Sequence, residues 1–275
     1  LSSEGIAGED KLPVLDGTLN IYANAYEDSI ETLRNVFSKL SLNIMGEYYI
    51  RFKDSVAGNY MISKFGDGVG ITKLQMASIT QAQLGRPFNG NTEITSFDEF
   101  QYLTSLYNID SELFVNCSNL KSIKFPNNLI AIYNSAFSGC DLRELVIPKT
   151  VTTIYQAAFQ KNINLKSVIF EERIEPLLMR WSIWAYCTSL VEINLPDTSI
   201  LESNSGAFFD GCTSLEKVHM SESFNMLGDY FFRNCTSLKE VNIPTNITKI
   251  GRGAFQKAGI ESIVLPSKSG ITIDS

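Results

Sequence analysis

The chain has one histidine, two tryptophans and only 19% charged residues in 275 positions. A single histidine leaves few routes to acid–base catalysis or a metal centre, because both use several converging groups. No apolar run approaches the roughly eighteen residues that a membrane-spanning helix needs. Basic residues are also in deficit: 23 Lys and Arg against 30 Asp and Glu give a net charge of −7. That balance argues against nucleic acid, which demands concentrated Lys and Arg, and against attraction to anionic lipid. Hydrophobic content of 44% is ordinary for a globular protein and sufficient for a real core. Residue 1 is Leu, not Met, so the chain reads as trimmed or processed, and its small, acidic first ten residues read as a flexible leader.

What the sequence has is a repeat. An apolar residue is followed three and five places later by two more: Leu120-Ile123-Phe125, Leu142-Leu145-Ile147, Leu165-Val168-Phe170 and Leu190-Ile193-Leu195. The series continues as Leu215-Val218-Met220, Leu238-Val241-Ile243 and Ile260-Ile263-Leu265. Successive copies are 22, 23, 25, 25, 23 and 22 residues apart, a period that marks a solenoid. Proline follows the triplet at 126, 148, 196, 244 and 266, where its missing N–H ends a strand. An aromatic closes each loop, at Phe114, Phe137, Phe159, Trp184, Phe209, Phe232 and Phe255. Three residues later comes Cys at 117, 140, 187, 212 and 235, with Asn162 and Ala258 in the other two copies.

No such unit buries its inward face alone, so stacking is obligatory. The expected result is one short parallel strand per coil, with Leu on Leu, Phe on Phe and Cys on Cys as internal ladders. The two 25-residue spacings place lengthened loops at about 171–180 and 197–206. Such loops either tune binding or are tolerated drift, and drift is the commoner case.

The pattern C-x-S-L-x-x-I-x-x-P, followed by I-x-x-x-A-F and x-x-C, resembles the BspA-like leucine-rich repeats of bacterial surface proteins. Cys117 to Pro126 with Ile132 and Ala136-Phe137, and Cys235 to Pro244 with Ile250 and Ala254-Phe255, carry the resemblance most fully. It extends over about 94–265, beginning with a degenerate first copy around Ile94 to Tyr102. It implies a right-handed α/β leucine-rich-repeat superhelix over 93–275, behind a small N-terminal α/β cap in 1–92. It further implies an exported, non-catalytic surface or adhesion protein that binds a protein or glycan of a host or neighbouring cell. A structural module of a virion or cell envelope is the competing reading. The oligomeric state is open, with a monomer favoured.

In the region ahead of the repeats, Asp28 is expected to cap a helix over 29–40, striped by Ile30, Leu33, Phe37 and Leu40. Tyr48-Tyr49-Ile50-Arg51-Phe52 reads as a strand, and 72–84 as a short helix. Gly66-Asp67-Gly68-Val69-Gly70 fits neither a phosphate loop nor a calcium loop and reads as a tight turn.

No catalytic, cofactor or metal site is expected. A hydrolase would have to be built around His219, which falls one residue before the inward Met220 and so points outward. The cysteines occupy one repeat position. Parallel inward side chains have the wrong dihedral for disulfides and do not converge for zinc, so they read as buried thiols acting as small hydrophobes. Recognition is assigned to the outward strand positions: Ser122, Lys124, Glu144, Glu192, Asn194, Lys217, His219, Glu240 and Asn242. A bare solvated sheet face is the competing reading of the same residues.

Overall fold

The computed structural model describes residues 17–21, 25–36, 40–44, 47–203, 205–267 and 270–274. It is a stack of coils made from parallel strands, the architecture the repeat implies, with a small α/β unit packed on its first coil.

The N-terminal unit comprises β1 (Gly17–Ile21), α1 (Glu27–Val36), β2 (Leu40–Ile44), α2 (Ser55–Phe65), α3 (Lys73–Ser78) and α4 (Gln81–Leu84). Strands β1 and β2 pair in parallel. Three expectations change here. The first helix starts at Glu27 and stops at Val36, so Asp28 lies inside it rather than capping it, and Leu40 opens a strand. Phe37, and the leader over 1–10, lie outside the described residues. Tyr48 and Tyr49 make only single bridges, to Ala25 and Thr72, because the following residues turn into α2. The expected helix over 72–84 is two, α3 and α4, with Ile79 in extended backbone between them. The glycine stretch is the expected turn: Asp67 accepts the Val69 and Gly70 amides at 3.0 Å each, and Gly68 sits at φ 89°.

Helix α2, which periodicity did not reveal, is capped by Asp54. One oxygen takes the Val56 and Ala57 amides at 2.8 and 3.0 Å; the other takes the Thr95 amide and hydroxyl at 2.8 and 2.7 Å. Burial alone would raise the Asp54 pKa, but these hydrogen bonds hold it below the usual carboxylate value. One carboxylate thus starts a helix and ties it to the first coil. Met61, Met76 and Leu84 then continue the core of Phe97 and Phe100, so the unit covers the apolar end of the stack.

The coils contribute β3 (Ser96–Phe97) and β4 (Asn108–Ile109), β5 (Ser122–Ile123) and β6 (Ala131–Ile132), then β7 (Glu144–Ile147) and β8 (Thr153–Ile154). Next come β9 (Ser167–Phe170) and β10 (Leu177–Met179), then β11 (Glu192–Asn194) and β12 (Ser199–Leu201). They finish with β13 (Lys217–His219) and β14 (Met226–Leu227), β15 (Glu240–Val241) and β16 (Lys249–Ile250), and β17 (Thr272–Ile273). Each coil therefore has a second short strand that the triplet search did not find. Odd-numbered β5 to β15 are the triplet strands, with β3 at the degenerate first copy, and they pair as β3-β5, β7-β9 and β11-β13-β15. The others form a second ladder in the order β12-β10-β8-β6-β4, and separately β14-β16-β17. The expected closing strand near Ile271 is present as β17, paired with β16. The last triplet, Ile260-Ile263-Leu265, forms no strand.

The lengthened loops are partly these second strands: β10 and β12 lie inside the two segments. The extra residues fall before β10 and after β12, and the second ladder breaks between β12 and β14.

The third side of each coil has no strand and is ordered differently. Two residues before each aromatic, Glu112, Ser135, Ala157, Ser182, Ala207 and Tyr230 have φ between 48° and 62°. Two residues after it, Asn116, Lys161, Tyr186, Asn234 and Lys257 have φ between 58° and 61°, with Gly139 and Gly211 at the same position in two coils. This alternation points amides along the stack: Ser135, Phe137 and Gly139 donate to Gln156, Ala158 and Gln160 of the next coil at 2.9, 2.8 and 2.8 Å. A non-glycine residue costs about 1 kcal/mol or more in this left-handed region, which the inter-coil bonds offset.

Inside, the aromatics stack nearly parallel. Phe88–Phe114, Phe114–Phe137, Phe137–Phe159 and Phe159–Trp184 have centroids 5.0–5.5 Å apart and interplanar angles of 5–9°. Phe209–Phe232 and Phe232–Phe255 resume the ladder beyond the break. Phe88, one coil ahead of the aromatics legible as a series, is its first member.

Candidate binding surface

Alternation along the triplet strands decides what faces outward. In β7 the pattern is exposed Glu144, buried Leu145, exposed Val146, buried Ile147; in β13 Lys217 and His219 are exposed around buried Val218. Parallel pairing places equivalent residues side by side. Glu192, Lys217 and Glu240 are in register, and Asn194 is in register with His219. The Lys217 ammonium lies 3.2 Å from Glu240, and Asn194 donates to Glu192 at 3.3 Å. Glu192, Asn194, Lys217, His219 and Glu240 thus make one contiguous polar area on the three-stranded sheet β11-β13-β15. His219 Nε2 lies 3.7 Å from an exposed oxygen of Asp197, at the turn leaving β11.

The remaining members are placed differently. Asn242 faces its neighbouring coil: its amide donates to the Met220 carbonyl at 3.0 Å and its oxygen accepts the Met220 N–H at 2.6 Å. It extends the ladder where β15 has ended, so its hydrogen-bonding groups are not offered to a ligand. Glu144 stands one coil before Ser167, beside the exposed aliphatic pair Val146–Ile169. Ser122 lies on β5, in a separate sheet with β3, and Lys124, just after it, lines a cleft against the N-terminal unit.

The cysteine position has a role that its residue type conceals. All five thiols are free and buried, and each donates to the carbonyl of the aromatic one coil back. The Sγ–O distances are 2.8 Å for Cys117 to Phe88, 3.0 Å for Cys140 to Phe114 and 3.4 Å for Cys187 to Phe159. They are 3.1 Å for both Cys212 to Trp184 and Cys235 to Phe209. These are donors and not merely small hydrophobes. Asn162, the one polar exception, donates to the Phe137 and Phe159 carbonyls at 2.8 and 2.9 Å, which explains its place in the series. Burial pushes the Cys187 and Cys235 thiols up to about 12 and raises Cys212 and Cys140 as well. These four are therefore protonated donors at neutral pH and poor nucleophiles, whereas the hydrogen bond with Cys140 lowers the Cys117 thiol.

Among the described residues, no three His, Cys, Asp or Glu side chains are grouped to hold a metal ion. No described helix is long and apolar enough to cross a membrane.

A family model for the BspA type leucine-rich repeat region matches residues 88–178 and 181–274, in six copies. A solved leucine-rich repeat protein from Eubacterium ventriosum is 24% identical, with a TM-score of 0.53 over 65% of this chain and 47% of that one. The chain thus spans about half that relative's length, and the likeness is one of fold. A leucine-rich repeat protein from T. pallidum is 25% identical, with a TM-score of 0.50 over 55% of this chain and 70% of that one. No curated protein matches the sequence at a significant level.

Proposed function

The chain belongs to the BspA-type leucine-rich-repeat family, and from that membership we propose that it is a non-catalytic binding scaffold at a bacterial cell surface. It presents the outward face of its triplet strands to a protein or glycan. The observation that carries this reading is the in-register area of Glu192, Lys217 and Glu240 beside Asn194 and His219. The alternate side chains of those strands, Ile193, Val218 and the partly buried Val241, pack in the core, so of the two strand faces this one is free to vary without cost to the fold. Repeat stacks supply extended rigid surfaces, which suits recognition of another macromolecule better than enclosure of a small substrate.

The test is a binding screen of the purified chain against extracellular-matrix proteins and a glycan array, repeated with Lys217→Glu and His219→Ala. Retention of a partner that both variants weaken supports the face. A partner held equally by wild type and variants, or no partner at all, overturns it.

An assembly role has one observation in its favour. Val264 and Ile273 are 88% and 62% exposed around the last described coil, and among the described residues β17 pairs with β16 alone. Docking of this end onto a second chain predicts concentration-dependent mass in light scattering; a monomer throughout disposes of it.

A further inference from the structure

The residue just past the first apolar position of each triplet forms a column along the stack: Lys121, Arg143, Lys166, Val191, Glu216, Lys239 and Glu261. All but Glu216 are exposed. In the later coils the signs alternate, and the Lys239 ammonium lies 2.8 Å from Glu216. In the coils of β5, β7 and β9 the same column holds three cations. The backbone sets them on successive rungs. Arg143 donates its amide to the Lys121 carbonyl at 3.3 Å, and Lys166 donates to the Arg143 carbonyl at 2.8 Å. Like charges side by side on rungs about 4.8 Å apart cost stability.

Little within the chain balances these cations. Arg143 lies 4.0 Å from Asp141, whose side chain is 14% exposed and already takes the Asn164 amide at 2.5 Å. Among the described residues, Lys121 and Lys166 form no ion pair. Glu144, next to Arg143 in sequence, stands on the sheet face in register with Ser167. A chain of net charge −7 thus keeps three neighbouring cations without alternating them. Aliphatic side chains adjoin the stripe. Val191, the next rung, is 48% exposed, and Ile163, in the Lys166 coil, is 53% exposed.

We propose that Lys121, Arg143 and Lys166 are a docking stripe for an acidic peptide segment of a protein partner, whose aliphatic side chains rest on Ile163 and Val191. Charge complementarity selects the acids, and the flanking aliphatics favour a peptide over a bare polyanion such as a sulfated glycan. Acids at i and i+4 of a helix are about 5–6 Å apart, close enough to the rung spacing for flexible Lys and Arg stems to meet them. The chain's overall negative charge opposes this only weakly, because fields beyond about 8 Å are screened at physiological salt. The proposal rests on the scaffold reading above but uses the entry to the triplet strands rather than the sheet face.

The probe is an acetylated, fluorescein-labelled peptide, Glu-Glu-Ile-Glu-Glu-Leu-Glu-Glu, titrated into the full chain and followed by anisotropy. Separate arms use the same peptide with every Glu replaced by Gln, and a heparin octasaccharide. The acidic peptide is expected to saturate below about 1 mM and to weaken as salt rises. Each of Lys121→Gln, Arg143→Gln and Lys166→Gln weakens it about threefold, and the triple variant more than about tenfold. Glu144→Gln tightens it, and Lys239→Gln, at a lysine that already has its partner, changes nothing. The triple variant melts no lower than the wild type, because it relieves repulsion. No saturation, equal binding of the Gln peptide, tighter binding of heparin, or undiminished binding by the triple variant each overturns the proposal. So does a lower melting temperature of the triple variant, which would assign the stripe to the fold. Lys217→Glu leaves this site unchanged, so failure here and failure of the sheet face are read separately.

Discussion

Arg233 closes a two-bonded fork onto Asp210, with Nε 2.9 Å from Oδ1 and Nη2 2.5 Å from Oδ2. Asp210 is almost fully buried and also receives Tyr186 Oη at 3.2 Å and Asn234 Nδ2 at 3.3 Å. Those partners come from the coils on either side, so a single carboxylate fastens three successive turns next to the break in the second ladder. The guanidinium in turn lies 4.4 Å over the Tyr230 ring.

Removing one member of such a pair strands the other. Arg233→Met is expected to cost about 3–5 kcal/mol in urea unfolding, because the buried Asp210 carboxylate loses its two-bonded partner. Adding Asp210→Asn to that variant should recover part of the loss. A double variant as unstable as Arg233→Met alone would mean that packing, not charge, holds this junction.

The thiol ladder sets an alkaline limit. Unfolded cysteines ionise near pH 8.5, whereas Cys187 and Cys235 are held protonated up to about 12 by burial. The folded state therefore binds more protons above about pH 9, so the stability contribution is complete below that pH and is lost as pH rises toward about 12. Cys187→Ser with Cys235→Ser, which keeps a hydroxyl donor but removes the ionisation, should flatten the fall in melting temperature over that window. A thiol-specific disulfide reagent should meanwhile label no cysteine in the native protein and all five after unfolding.

Lys161 is exposed at φ 60°, the position that Gly139 and Gly211 fill in other coils. Lys161→Gly is expected to raise stability by about 1 kcal/mol by removing a strained Cβ. Lys161→Ala keeps the Cβ and should change little. Equal gains from both substitutions would assign the effect to the lost charge.

The sequence alone determined the solenoid. Its period follows from the spacing of Leu120, Leu142, Leu165 and their successors, and apolar residues at fixed spacing have nowhere to go but a shared interior. The same logic located Trp184 among phenylalanines and the cysteines in one internal row. It did not reveal β4 to β16 on the second side. Two-residue strands such as Ala131–Ile132 are too short for alternation to register, and neighbouring coils alone make them strands. Nor did it distinguish Asn242 from Asn194. Both occupy outward positions, yet where β15 stops, the Met220 amide and carbonyl need partners, and Asn242 supplies them. The contact of Lys53 with Asp98 and Glu99 was hidden for a similar reason. Lys53 and Glu99 are 46 residues apart, and only the docking of the N-terminal unit brings them together. Periodicity writes the interior into the sequence, because every coil solves the same packing problem. The surface is decided by which coils end up adjacent to what, and that exists only in the folded chain.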